Sequence, residues 1–296
     1  MMTANEPPRK KPGSVHEYIA VVAGSGLLPQ SVVEGLKDAG HRPLVVALEG
    51  EADFAEAPDY DLMRLPPERL GQLVPRLKRR GVTHLVMAGG VKTRPPLRKL
   101  RFSPQILLYL PRLLSAYARG DDGLLRALVT YVEDSGIHVV GAHEVVPELL
   151  APEGCLGRVK PNRMDEKDIA AALEAARAIG RLDIGQAAVA VGGRAIALEG
   201  IEGTDGLLER AKALRSHGRI AGKTRGVLVK CAKPGQEERA DLPAIGPRTV
   251  RDAHAAGLAG IAVEAERSFV LDGAETVRLA DELNLFLLGF ARGREA

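Results

Sequence analysis

Short apolar runs separated by longer segments with helical patterning predict the architecture of the first half of the chain. The predicted strands are Tyr18–Ala23, Pro43–Leu48, Thr83–Ala88 and Ile137–Gly141. The predicted helices span residues 31–39, 68–80, about 104–118 and 123–134. None of the strands alternates polar and apolar positions, which is typical of a parallel sheet covered on both faces. We therefore predict a Rossmann-like parallel-sheet domain at residues 18–145. A polar, Pro-rich tail at 1–17 is expected to be disordered.

The pattern breaks at residues 146–165, which are rich in Pro and Gly and are interpreted as a linker. An Ala-rich helix follows at 168–179. Residues 186–191 and 194–199 are two apolar arms joined by Gly192-Gly193, which predicts a β-hairpin. Further strands are predicted at 227–230, 261–263 and 285–288, with helices at 204–215, 248–256 and 273–283. This half is predicted to be a second, C-terminal α/β domain at 166–296.

Composition narrows the class of protein. Hydrophobic residues make up 45% and charged residues 27% of the 296 positions, as in globular proteins. A net charge of +3 and an aromatic content of 3% argue against a nucleic-acid partner. Cys155 and Cys231 show no zinc spacing and indicate reduced thiols. There is no signal-peptide pattern and no run of about 18 apolar residues, so a cytoplasmic location is expected.

The most informative chemistry follows the predicted strand at 227–230. Lys230, Lys233, Arg239 and Asp241 are crowded into a loop punctuated by Pro and Gly. Lysine supplies point charge and arginine a planar fork, so this arrangement favours an anionic, phosphorylated substrate. Asp241 is a candidate to hold a metal ion or a water molecule. Ordinary solvated charges on a surface loop are the alternative explanation.

A second candidate site follows the first strand, where Gly24, Ser25, Gly26 and Leu27 precede a helix. Backbone N–H groups in such a loop can bind a phosphate. Glu49, after the second strand, lies near the position of a ribose-binding acid. Pro29 replaces the third glycine of the dinucleotide fingerprint, which argues against bound NAD. A nucleotide or sugar contact is favoured, and a simple tight turn is the alternative.

Two acidic segments and one basic segment offer further candidates. Asp121-Asp122 precedes a predicted helix and suits either Mg²⁺ binding or helix capping. Glu199–Asp205 carries three carboxylates and two glycines after a strand, which favours contact with an anion or metal over solvated acids. Arg94–Arg101 places four cations before an apolar helix. Such a run suits an anionic membrane surface or a lipid-bearing substrate, although most such runs are solvated.

Eight segments occur in a characteristic order along the chain: Gly24–Pro29, Ala47–Gly50, Gly120–Leu125, Leu182–Gln186, Glu199–Asp205, Val229–Gln236, Asp241–Pro247 and Ala256–Ala265. Together they resemble the UDP-2,3-diacylglucosamine pyrophosphatases of the lipid A pathway in Gram-negative bacteria, in the form that is unrelated to calcineurin-like metallophosphoesterases. The resemblance covers about residues 18 to 290.

The resemblance implies Mg²⁺-dependent hydrolysis of UDP-2,3-diacylglucosamine to UMP and 2,3-diacylglucosamine 1-phosphate. It also implies that the substrate is held between two domains and that the protein is a homodimer. Because the substrate is amphiphilic, a peripheral contact with the inner membrane is expected as well. A sugar-nucleotide-binding module without hydrolytic activity is the alternative from another functional class.

Hydrolysis of a pyrophosphate requires neutralised phosphate oxygens and a positioned water, with little covalent work for the protein. We expect Asp241, Lys230 and Asp205 to be the catalytic residues, with Asp241 as the essential carboxylate. Asp241 and Asp205 are the predicted Mg²⁺ ligands. The predicted substrate-binding residues are Gly24, Ser25, Gly26, Leu27, Glu49, Gly90, Asp122, Glu202, Gly203, Thr204, Lys233, Gln236 and Arg239.

Overall fold

The computed structural model describes residues 17–91, 109, 121–220 and 223–294. Helices and strands are numbered in chain order over these residues. The predicted helix at about 104–118 and the basic run Arg94–Arg101 lie outside the described residues.

The first half forms a five-stranded, fully parallel sheet in the order β3-β2-β1-β4-β5. Its strands are β1 (Ile19–Ala23), β2 (Leu44–Leu48), β3 (Asp61–Leu65), β4 (His84–Ala88) and β5 (His138–Val140). Its helices are α1 (Leu28–Asp38), α2 (Leu73–Arg79), α3 (Asp121–Asp134) and α4 (Ala142–Val145). β3 was not predicted because its sequence includes the polar residues Asp61 and Arg64, which an edge strand tolerates.

The order of these strands creates a crevice. β1 pairs with β2 on one side and with β4 on the other, so the chain reverses its direction of winding at β1. In open α/β sheets, ligands bind outside the carboxyl ends of the strands at such a switch point. The loops that leave β1 and β4, Gly24–Leu27 and Gly89-Gly90, therefore lie together at the edge where a ligand is expected.

The second half forms a six-stranded mixed sheet in the order β6-β13-β11-β9-β7-β8. Its strands are β6 (Gly154–Cys155), β7 (Ala187–Ala190), β8 (Ala195–Leu198), β9 (Val227–Lys230), β11 (Gly260–Glu264) and β13 (Phe286–Phe290). The helices are α5 (Arg163–Arg181), α6 (Gly203–Leu214), α7 (Pro247–Ala255) and α8 (Gly273–Glu282). A separate parallel pair joins β10 (Ala244–Ile245) to β12 (Phe269–Val270). The predicted hairpin is confirmed as β7–β8, and the two sheets with their helices confirm the two-part α/β fold class.

The segment predicted as a linker, residues 146–165, contributes to the second sheet. Gly154-Cys155 pairs antiparallel with Gly289-Leu288 at the sheet edge. A methyl group on Gly289 would overlap the carbonyl oxygen of Pro152, so glycine permits this close approach. A two-residue strand that is held by a distant partner leaves no hydrophobic pattern in the sequence, so the sequence does not predict it.

The two halves share part of one apolar core. Val32, Val45 and Val146 of the first half belong to the same buried cluster as Leu242 and Phe269 of the second half. Separate clusters cover the other faces of the two sheets. The shared cluster packs the loop that contains Asp241 against the switch-point edge of the first sheet. Within the described residues, no helix has the length and apolar character needed to cross a bilayer.

Candidate active site

A cavity of about 300 Å³ lies between the two halves, at the carboxyl edge of the first sheet. The first half lines it with Ser25, Gly26, Leu27, Leu28, Met87, Gly89, Gly90 and Ala142. The second half lines it with Gln186, Lys230, Glu238, Arg239, Ala240, Asp241, Leu242, Ala244, Phe269 and Leu271. The glycine-containing loops after β1 and β4 thus face the charged loop that follows β9 across one cavity.

The loop after β1 is shaped to bind an anion. The N–H of Ser25 donates to the Gly90 carbonyl at 2.7 Å, and the N–H of Gly90 donates back to Ser25 at 3.0 Å. A methyl group on Gly24 would overlap the Gly90 carbonyl, so Gly24 permits this pairing. Within the described chain, the N–H groups of Gly26 and Leu27 donate to no acceptor. These two donors line the cavity directly before the N-terminus of α1, which favours a negatively charged ligand.

Lys230 lines the cavity from the second half of the chain, across from the glycine loop after β1. It is the last residue of β9 and is only 5% exposed. Its Nζ donates to the Ala244 carbonyl at 2.8 Å. Burial lowers the pKa of this ammonium group, while the carboxylates of Glu199, Asp241 and Asp205 act in the opposite direction. Lys230 therefore presents a cation to the cavity that depends on nearby acids.

Asp241 is held in place by its own loop. The side chain of Gln236 donates to Asp241 Oδ2 at 2.9 Å and accepts from the Lys233 N–H at 2.8 Å. The other oxygen, Oδ1, accepts no hydrogen bond within the described residues. Burial raises the pKa of Asp241, and the charge of Lys233 partly offsets this rise. The site therefore contains an oriented carboxylate with one oxygen available for a ligand.

The other cations of this loop are already paired with acids. Arg239 lines the cavity, but its guanidinium donates to Glu237 at 2.8 Å and to Glu133 at 2.7 Å. Lys233 Nζ lies 2.6 Å from Asp183 Oδ1. Of the three cations predicted to bind the phosphorylated substrate, Arg239 is paired with acids, Lys233 does not line the cavity, and Lys230 lines it.

Asp122 connects the two halves. One of its carboxylate oxygens accepts from the Glu237 N–H at 2.9 Å, and its own N–H donates to Asp183 at 3.3 Å. The neighbouring Arg126 also donates to the Gly235 carbonyl. Asp122 does not line the cavity. Its contacts hold the Asp241 loop against the first turn of α3, which is a structural role that the sequence did not indicate.

Several predicted site residues lie away from the cavity. Glu49 is exposed after β2 and does not line it. Asp205 forms an ion pair with Arg248 at 2.9 Å, and Glu202 forms one with Arg210. Gly203 begins α6 with a φ of +70°, and Thr204 donates its hydroxyl to the buried Glu199 at 2.6 Å. The structure therefore brings Asp241 and Lys230 together at the cavity but not Asp205, which acts on Lys230 only through charge.

The donor set suits a metal ion that is shared with a substrate. Within the described residues there is no group of three His, Cys, Asp or Glu side chains that could hold a metal by themselves. Mg²⁺ is commonly bound by one or two carboxylates together with substrate phosphates and water. The available Oδ1 of Asp241 fits that pattern, because phosphate oxygens in the cavity would complete the coordination.

Sequence reasoning missed two polar residues that line the cavity. Gln186 lines it, and its buried Oε1 has no hydrogen-bond partner within the described residues. Glu238 lines it and pairs with Arg267 at 2.5 Å. Glu199, one of the three acids in the predicted segment Glu199–Asp205, is buried and accepts from the Gln186 N–H at 2.8 Å. Gln186 belongs to a segment that carries the family resemblance, which was the one signal available for it.

A comparison with solved structures finds the CobK precorrin-6A reductase at 12% identity and a TM-score of 0.33, over 95% of this chain and 90% of that one. That similarity is too low to carry an argument. A comparison with curated proteins finds the UDP-2,3-diacylglucosamine pyrophosphatase LpxI of Caulobacter vibrioides. The two sequences are 40% identical over 277 residues, which cover 92% of this chain and 96% of the relative.

Two family models also match, the LpxI N-terminal domain over residues 18–149 and the LpxI C-terminal domain over residues 152–288. Together they span nearly all of the described chain, including both walls of the cavity. The resemblance found in the sequence motifs is confirmed: the chain belongs to the LpxI family.

Proposed function

We propose that this chain hydrolyses the pyrophosphate bond of UDP-2,3-diacylglucosamine to give UMP and 2,3-diacylglucosamine 1-phosphate in lipid A biosynthesis. The name of the relative that shares 40% identity supports this activity. The observation that carries the proposal is the composition of the cavity. Amide donors at Gly26 and Leu27 face Lys230 and Asp241 across one space of about 300 Å³. Such a combination is suited to a diphosphate and a positioned water.

The residues of the chain act mainly through position and charge. Phosphoryl transfer is accelerated chiefly by electrostatic stabilisation in a fixed geometry. The Gly26 and Leu27 N–H groups and the N-terminus of α1 bind one phosphate group. Lys230 compensates charge on the diphosphate from the other wall. Gln186 offers a hydrogen-bond acceptor to a hydroxyl or amide N–H of the substrate.

Asp241 is the proposed essential carboxylate. Gln236 fixes one of its oxygens, so the other is directed to a ligand with little loss of conformational freedom. This oxygen orients the attacking water or holds Mg²⁺. When Mg²⁺ is bound there, it neutralises charge on the phosphate oxygens. Asp205 remains a candidate second carboxylate through its electrostatic effect on Lys230.

The test is product analysis with purified protein and UDP-2,3-diacylglucosamine in ¹⁸O-labelled water. We expect UMP and 2,3-diacylglucosamine 1-phosphate in equal amounts, with one ¹⁸O atom in one of the two products. The position of the label identifies the phosphorus that is attacked. A folded protein that binds UDP but releases no UMP would contradict the proposal and support the sugar-nucleotide-binding module instead.

We further propose that the protein is a homodimer and makes a peripheral contact with the inner membrane. The family resemblance supports the first, and the amphiphilic substrate supports the second. Light scattering is expected to give twice the chain mass of 31.5 kDa. Flotation with anionic vesicles is expected to carry part of the protein upward. A monomeric mass, or no flotation at low salt, would contradict the respective proposal.

A further inference from the structure

Three residues form a row across the second sheet beneath the cavity. Ala187 of β7 lies directly opposite Lys230 of β9 in an antiparallel pair. On its other side, the carbonyl of Ala187 accepts from the Glu199 N–H at 2.9 Å, continuing the β7–β8 register. Residues directly opposite each other in antiparallel strands project to the same face. Lys230, Ala187 and Glu199 therefore share one face, with a small side chain between the two charged ones.

Glu199 is fixed within this row. Its side chain is 6% exposed, and both of its oxygens accept hydrogen bonds. One accepts from the Gln186 N–H at 2.8 Å and the other from the Thr204 hydroxyl at 2.6 Å. Thr204 lies in the first turn of α6, where the helix dipole favours a negative charge. These contacts fix both carboxylate oxygens of Glu199 in a buried position.

Lys230 requires such a partner. A buried ammonium group without compensation loses its proton, because desolvation disfavours the charged form. Glu199 has the largest effect of the three acids that favour the charged form of Lys230, ahead of Asp241 and Asp205. Asp205 is exposed and paired with Arg248 at 2.9 Å, and Asp241 faces the cavity. Of these three acids, Glu199 is the one that lies in the same row as Ala187 and Lys230.

We propose that Glu199 is a positioning residue that acts through Lys230: it keeps this lysine charged and directed at the diphosphate of the substrate. Ala187 lies between them in this row, and its small side chain leaves the space between the two charged side chains open. The inference rests on the proposed function for the identity of the ligand. It does not depend on hydrolysis, because the diphosphate of UDP itself is a sufficient probe.

The primary experiment is the affinity for UDP by titration calorimetry at fixed Mg²⁺ and pH, with thermal unfolding as the control for structure. Glu199→Gln is expected to weaken UDP binding about tenfold, as for loss of one charged hydrogen bond. Glu209→Gln, an exposed glutamate on α6, is the matched control and is expected to bind UDP like the wild type. Tighter or unchanged UDP binding by Glu199→Gln would overturn the proposal. If Lys230 stays charged without Glu199, neutralising this acid removes a repulsion for the anionic ligand and strengthens its binding.

A double-mutant cycle separates action through Lys230 from a general structural effect. In a Lys230→Met background, Glu199→Gln is expected to change UDP affinity less than about twofold. A tenfold loss in that background would overturn the inference.

If Glu199→Gln does not fold, Ala187→Val is the second variant, because it retains both charges but places methyl groups between them. It is expected to weaken UDP binding similarly, and wild-type affinity would count against the proposal. Absence of UMP release by the wild type would contradict the hydrolase alone.

Discussion

Asp241→Asn is expected to lower kcat for UMP release by about 10²–10⁴-fold, on the scale of a lost acid, base or metal ligand. The substitution retains the size of the side chain and an acceptor for the Gln236 hydrogen bond. It removes the charge from the oxygen that accepts no hydrogen bond within the described residues. Binding of UDP is expected to persist, because the glycine loop and Lys230 remain.

The same substitution is expected to preserve or increase stability. Burial raises the pKa of Asp241 in the folded protein. A group whose folded pKa exceeds its unfolded pKa binds its proton more tightly when folded, so its ionisation at neutral pH opposes folding. Asp241→Asn removes that penalty, and its melting temperature should equal or exceed that of the wild type. With that melting temperature measured, a loss of activity in Asp241→Asn cannot be attributed to unfolding.

Steady-state kinetics on Asp241→Asn, Asp205→Asn and Asp38→Asn provide the comparison. Asp38 is exposed at the end of α1, and its variant is expected to match the wild type. If Asp241→Asn retained activity within about threefold while Asp205→Asn lost it, the essential carboxylate would be Asp205. The structure favours Asp241, because only this one of the two lines the cavity.

Removal of Mg²⁺ with EDTA is expected to lower the rate by at least about 10³-fold, as metal ions contribute several kcal/mol of charge stabilisation. The physical reason is that the nearby cations are already compensated. Arg239 pairs with Glu237 and Glu133, and Lys233 pairs with Asp183. Among the described residues that line the cavity, this leaves Lys230, whose single charge does not balance a diphosphate.

The measurement is the UMP release rate after EDTA treatment, followed by titration with Mg²⁺. Full recovery is expected, with Ca²⁺ as a less effective substitute because it tolerates a looser geometry. UDP affinity with and without Mg²⁺ provides a second readout, and its Mg²⁺ dependence should be smaller in Asp241→Asn. Undiminished turnover in EDTA would show that the protein supplies all of the required charge.

The sequence by itself determined the two-part α/β fold, the hairpin at Gly192-Gly193 and the family. Uniformly apolar strands and glycine turns are local patterns, and each can be identified without knowing its neighbours. It also indicated that Gly24–Leu27 and the Lys230–Asp241 loop carry chemistry. Both line the same cavity because the apolar core shared by the two halves packs the Asp241 loop against the edge of the first sheet.

Tertiary structure alone decided which charged side chains are available to a ligand in the cavity. In the sequence, Lys230, Lys233 and Arg239 are all candidate cations for the substrate, and Asp241 and Asp205 are both candidate metal ligands. Ion pairs with residues up to 106 positions away distinguish them. The edge strands β3 and β6 and the row that joins Lys230 to Glu199 depend on pairing between distant segments in the same way. Burial and charge pairing are properties of neighbours in space, and a linear pattern does not contain them.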